Sequence, residues 1–230
     1  YGEASQKYPN KFAPLAQIRE WNGDEENELQ ELENAVRKQG CKGLYFSVEG
    51  FALNGYIDHI DDRKFDPLWE LVEQLKIPIW WFLDARKKDR ATAFMERLHE
   101  LIRWTQIHPN IPSLLTHGLV PATLIHEMGI PDELVELLKN PNTYAEFQNP
   151  AKWPEYPYSE GQDLIKRMCD EVGVESFTWG SDMPFSAGYW CTYKQSVDHI
   201  DIHCDFLSER EKNLILGGNA ARLLDIDINK

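Results

Sequence analysis

No stretch of this 230-residue chain holds about eighteen consecutive apolar residues, so the sequence offers no membrane-spanning helix. Its opening, YGEASQKYPNKF, lacks the basic patch and apolar core of a secretion signal, and the expected location is cytoplasmic. Paired cysteines are missing as well. Cys41, Cys169, Cys191 and Cys204 form no CxxC spacing, which removes a zinc ribbon and a dithiol redox motif. Cys169 falls in the apolar register of a helix and reads as a small buried hydrophobe in a reducing compartment. Positive charge is scarce: 24 Lys and Arg against 38 Asp and Glu leave a net charge of −14. A nucleic-acid binder needs a basic footprint to displace counterions from phosphates, and an anionic membrane surface asks for the same. Neither partner is expected. A small acidic substrate stays open, because a cleft can be locally positive on an acidic protein.

What is present is enough apolar material for one full core, 42% of the residues, with 12% aromatic. No Pro/Ser-rich linker or low-complexity tract divides it, so residues 1–230 read as one domain. The pattern alternates between short apolar runs and helical periodicity. Strands are expected over residues 12–18, 43–48, 77–83, 113–117 and 143–148, with a sixth opening at Phe177. The run IPIWWFL is apolar on both faces, as suits a parallel strand covered on both sides. Helices are expected over 24–39, from Asp66 as cap with Pro67 behind it, over 89–106, 131–138, 160–172 and 195–204. Ser208 and Glu211 form a capping box for a further helix, with Gly217 and Gly218 as its stop and Asn219 as the start of the last one.

One stretch organises the rest. In FTWGSDMP, residues 177–184, an apolar run ends at a Gly-Ser pair and delivers Asp182 just before a Met-Pro break. That is how a strand presents a carboxylate at its C-terminal mouth, where it can bind a metal or act as a general base; an Asp that merely caps the next turn has the same local sequence. Thr116-His117-Gly118 ends another strand in the same way, and its imidazole either polarises a carbonyl and passes a proton or sits as a hydrogen-bonded rim residue. A doubly wound sheet would want a Gly-rich phosphate loop after its first strand, and none is present. A (β/α)₈ barrel needs eight strands and about 250 residues, two units more than are seen, and the chain begins at Tyr1, not Met, so two leading strands are expected upstream.

The pieces FDPLWELVEQLKIPIWWF, NIPSLLTHG, FTWGSDMPF and LILGGNAARLL resemble successive landmarks of the amidohydrolase-related family, in the branch of aminocarboxymuconate-semialdehyde decarboxylase and 2-pyrone-dicarboxylate lactonase. The resemblance covers nearly the whole chain. It implies an α/β fold of the TIM (β/α)₈ type, with this chain supplying strands three to eight. It also implies a divalent metal, zinc foremost, held by a first-strand HxH or ExH pair, a fifth-strand His and the eighth-strand Asp, with a sixth-strand His beside them. Asp182 matches the eighth-strand Asp and His117 the sixth-strand His. The first-strand pair has no counterpart here, and Phe82 stands where the family writes its fifth-strand His, so a metal-free site is the alternative.

The resemblance therefore points to a hydrolase of a small carboxylated or cyclic substrate, with Asp182 as base and possible metal ligand and His117 as its partner. Non-oxidative decarboxylation of an aromatic or unsaturated acid is the alternative, and a catalytically incomplete relative is the second. Arg86 could clamp a substrate carboxylate or belong to a solvated charged face. Trp81 and Phe82 could wall an aromatic pocket, or fill the core together with Trp80. His59 and His126 lie in loops after strands and could reach the mouth. His99, His108, His199 and His203 are expected to face solvent. A homo-oligomer, or association with the absent N-terminal part, is the expected assembly.

Overall fold

The computed structural model describes residues 2–8, 11–48, 59–83, 90–117, 129–148, 156–185, 187 and 191–227. Two compact units divide the chain, residues 1–114 and 115–230, with the boundary inside the fourth strand. Strand order is chain order, and the pairings described are parallel between sequence neighbours. Parallel neighbours require a crossover, and helices supply it.

The first unit opens with α1 (Gly2–Lys7), β1 (Leu15–Ala16) and α2 (Glu26–Arg37), then β2 (Gly43–Ser47), α3 (Asp66–Leu75), β3 (Ile79–Phe82) and α4 (Arg90–Ile107), ending in β4 (Ser113–Leu115). β1 is far shorter than the apolar run 12–18 predicts. Pro14, with no N–H to give, precedes it, and only its carbonyl serves the sheet, accepting from the Lys42 amide. α2 buries Leu32 and, unusually, Glu28, whose carboxylate takes the Arg19 backbone N–H at 2.8 Å and the Arg19 guanidinium. Asp66 is the first residue of α3, not its cap: Phe65 holds the cap position, while Asp62 caps the preceding turn by accepting the Lys64 amide at 3.0 Å.

An aromatic cluster forms the core of this unit. Phe46, Trp69, Trp81 and Trp104 are all but fully buried, with centroids 5.3 Å apart for Phe46–Trp69, 5.6 Å for Trp69–Trp81 and 4.9 Å for Trp81–Trp104. Fully burying a side chain of this kind contributes about 2 to 3 kcal/mol, and tilted or edge-on ring pairs add to it. Trp81 also donates its indole N–H to Ser113 Oγ at 3.1 Å, tying β3 to β4.

The second unit contains α5 (Asp132–Leu138), β5 (Thr143–Gln148), α6 (Ser159–Val172), β6 (Phe177–Gly180), α7 (Tyr193–Asp201), α8 (Glu209–Asn213) and α9 (Asn219–Leu223). Phe147 and Phe177 stack at 4.4 Å across the β5–β6 pair, above Ile165, Met168 and Ile215 in the core. The Ser208–Glu211 capping box is formed as expected. The expected helix stop is not: Leu214–Gly218 continues α8 as a wide π-type turn that runs directly into α9, with Gly218 at φ −59°. Glycine serves packing there, because a Cβ on Gly218 would meet the Asn213 carbonyl at 3.3 Å. The turn delivers Asn219, fully buried, whose side-chain amide donates to the Val174 carbonyl at 2.8 Å and the Phe177 carbonyl at 2.7 Å. The GGNAARLL landmark is thus a latch on the start of β6.

Candidate functional site

Two strand exits of the second unit lie on either side of one acidic side chain. β4 ends at Leu115 and turns through Thr116 and His117; β6 ends at Gly180 and turns through Ser181 and Asp182. His117 and Asp182 both hold left-handed backbone, at φ 61° and 51°. Such conformations are uncommon for residues other than glycine, are least unfavourable for Asn, Asp and His, and concentrate where a site dictates the backbone. Both residues are half-buried. Ser181 Oγ accepts the Met183 amide at 3.3 Å and shapes the turn that carries Asp182.

Between these exits lies Glu146, projecting from β5. One of its oxygens accepts the Thr116 hydroxyl at 3.0 Å and the His117 backbone N–H at 3.1 Å. The other rests over Gly180, where a Cβ would stand only 2.2 Å away. The register sets Thr178 opposite Glu146 and Gly180 two positions further on, the same face of the sheet. Although the residue as a whole is half-buried, its carboxyl group is desolvated, and this drives its pKa up; the two hydrogen bonds oppose the shift, while the charge of Asp182 adds to it. The Glu146 carboxyl is thus held between the β4 exit, which donates to it, and the charge of Asp182.

A second cluster belongs to the first unit. His59 Nδ1 lies 2.6 Å from Glu100, Arg97 binds both oxygens of Glu100 at 2.9 and 2.6 Å, and Arg103 pairs with Asp61 at 2.5 Å. The ligand atoms of His59, Asp61 and Glu100 lie within 4.8 Å of one another.

A family model described as amidohydrolase matches residues 1–226. The chain belongs to the amidohydrolase family. Solved structures share its fold at low identity: 5-carboxyvanillate decarboxylase from Sphingomonas paucimobilis has 15% identity and a TM-score of 0.69, covering 98% of this chain and 70% of that one. A dihydroxybenzoic acid decarboxylase from Polaromonas sp. JS666, solved with manganese and the inhibitor 2-nitroresorcinol, has 16% identity and a TM-score of 0.71, covering 100% and 73%. 4-Oxalomesaconate hydratase from Rhodopseudomonas palustris has 19% identity and a TM-score of 0.69, covering 97% and 69%. No curated protein matches the sequence. The fold class is therefore the TIM (β/α)₈ type expected, with this amidohydrolase chain supplying about six βα units.

Whether a divalent ion fits depends on the chemistry of the donors. His59, Asp61 and Glu100 have the spacing, yet the Arg97 and Arg103 guanidinium groups already balance both carboxylates, and an ion would have to displace them. Near Asp182, one oxygen of Glu146 is committed to Thr116 and His117. His59, Asp61 and Glu100 could hold a divalent ion only in competition with these guanidinium groups, and no step below passes through one.

His117 and Asp182, the two residues singled out as catalytic candidates, each border Glu146: the first through its backbone N–H, the second through its charge. Trp81 is fully buried in the aromatic core, and Phe82 is half-buried at the end of β3. Arg86 and His126 lie outside the described residues. His59 is held by Glu100. His199 corrects the expectation that it faces solvent: it is 3% exposed, edge-on to Tyr158 at 5.7 Å, with Nδ1 unpartnered, and burial pushes its pKa down to about 4. His199 hydrogen-bonds the Pro157 backbone, while His203, four residues on, meets the Tyr156 hydroxyl at 2.6 Å. Glu146 is the residue that the sequence reading passed over. Its signal was there, a lone acid between Ala145 and Phe147 in a strand otherwise built for burial.

Proposed function

We propose that this chain catalyses the non-oxidative decarboxylation of a small hydroxylated aromatic or unsaturated acid. The observation that carries the reading is the trio itself: Asp182 and His117 in constrained backbone at the exits of the two strands flanking β5, both within the influence of the Glu146 carboxyl. Support comes also from the solved relatives, two of which are decarboxylases of aromatic acids by name. Asp182 carries a proton to the carbon that bears the carboxylate. The C–C bond then breaks, its electron pair returns to the ring carbon and CO₂ leaves. His117, through its imidazole, polarises a substrate oxygen so that negative charge developing on the ring is stabilised.

Hydrolysis, the first expectation from the sequence, uses the same pair with Asp182 taking a proton from water, and the family's description favours it. The two readings separate on one experiment. Purified protein is incubated in D₂O with 2,6-dihydroxybenzoate and 5-carboxyvanillate, the products being followed by chromatography and mass. Decarboxylation gives CO₂ and a ring carrying deuterium at the carbon that lost its carboxylate. Absence of turnover on both acids, together with opening of a lactone or amide panel, overturns the proposal in favour of hydrolysis.

A further inference from the structure

Glu146 makes demands on the fold that a strand residue of purely structural purpose would not make. Its one oxygen serves two donors of the turn that leaves β4, Thr116 Oγ at 3.0 Å and the His117 N–H at 3.1 Å. The residue so held is in left-handed backbone, a conformation that costs a side-chain-bearing residue on the order of 1 kcal/mol and persists only where its surroundings hold it. The amide hydrogen bond to Glu146 holds this turn from outside its own segment. On the opposite side the carboxyl lies against Gly180, and a Cβ there would be 2.2 Å from one oxygen and 2.3 Å from the carboxyl carbon. Two separate pieces of the chain, the β4 exit and the β6 exit, are therefore shaped around one acidic side chain.

That acid is also a poor choice for stability alone. It is desolvated beside another carboxylate, and an amide or a hydroxyl could accept the same two hydrogen bonds without repelling Asp182.

We propose that Glu146 is a positioning residue: its carboxyl sets the backbone of His117, and through it the direction of the imidazole, relative to the β6 exit that carries Asp182. This rests on the assignment of His117 and Asp182 as the catalytic pair. It assigns to β5 a role in the site that neither strand ending shows by itself. Positioning of this kind acts on orientation, so its loss is felt in kcat more than in substrate binding.

The test uses the full chain with Glu146→Gln and Glu146→Ala. Gln keeps an oxygen for both donors and removes the charge; Ala removes the acceptor. Three readouts are followed: hydrogen exchange at the His117 amide, kcat and KM on whichever aromatic acid the wild type decarboxylates, and the melting temperature. For Glu146→Ala, exchange at His117 is expected to quicken about 10-fold or more, and kcat to fall about 30-fold with KM within about threefold. For Glu146→Gln, exchange and kcat are expected to stay within about threefold to fivefold of wild type. A Gln variant that protects the His117 amide yet loses as much kcat as Ala overturns positioning in favour of a direct role for the charge. An Ala variant with unchanged His117 exchange overturns it as well. Should Glu146→Ala fail to fold, the Gln variant decides alone by the same two readouts. If the wild type decarboxylates nothing in the panel, the functional reading fails while His117 exchange in the two variants still decides the positioning claim.

Discussion

A Cβ placed on Gly180 would stand 2.2 Å from the Glu146 carboxylate, so a side chain at position 180 and the present position of the Glu146 carboxyl exclude one another. The conflict is with the end of a flexible side chain, and the carboxyl can swing away. Gly180→Ala is accordingly expected to cost about 1 to 3 kcal/mol and to release the His117 amide without unfolding the chain. In a Glu146→Ala background the same change should cost less, giving a coupling of about 1 kcal/mol or more in a double-mutant cycle by denaturant unfolding. Additive effects would mean that the two groups do not share the space.

Asp182→Asn removes the charge while keeping the shape and the tolerance for left-handed backbone, since Asn adopts φ 51° as readily as Asp. Turnover should fall by about 10³-fold with the melting temperature within about 3 °C of wild type. Steady-state rates and a thermal melt check this, and retained activity removes Asp182 from the chemistry.

His117→Gly separates backbone from imidazole. Glycine occupies φ 61° without a Cβ penalty, so the variant is expected to keep its stability or gain up to about 1 kcal/mol, while activity is lost. A large loss of stability in chemical denaturation would show that the imidazole packs as a structural element.

His199 gives a pH signature. Its ordinary value of 6.5 applies to the unfolded chain, and burial lowers it to about 4 in the folded one. Between those values the unfolded chain binds the extra proton, so stability is fully present above pH 6.5, falls as pH drops, and the loss is complete below about 4. The shift corresponds to about 3 kcal/mol. Urea midpoints measured from pH 7 to pH 4 should lose this component in His199→Phe, and an unchanged slope in that variant would contradict the burial.

The arginine pairs of the first unit predict a metal result. With Arg97 and Arg103 neutralising Glu100 and Asp61, added Mn²⁺ should raise the melting temperature no more in wild type than in His59→Ala. A manganese-dependent rise that His59→Ala abolishes would establish a site at His59, Asp61 and Glu100.

Much of the fold was legible because βα repeats write their period plainly. β5 falls at Thr143–Gln148 as expected, and the helix around Leu164 and Met168 begins only one residue early. Elements were less legible where the deciding contact is distant in sequence. β1 shrank to Leu15–Ala16 at Pro14, and the paired glycines at 217 and 218 passed through a π-type turn because burial of Ile215 and Asn219 outweighs the local tendency of glycine to end a helix. His199 reads as surface from its polar neighbours and is core because α7 packs that edge inward.

The sequence by itself determined the family and the repeated parallel strand and helix, and it marked His117 and Asp182 as strand-ending candidates, since each is written locally as a motif or a strand ending. Only the tertiary structure decided that Glu146 joins them, because three strands far apart in sequence must be side by side before one carboxyl can hold the exit of β4 while resting on the glycine of β6. It also decided that Glu100 is engaged by Arg97 and His59, and Asp61 by Arg103, a balance of charge that spacing alone does not reveal.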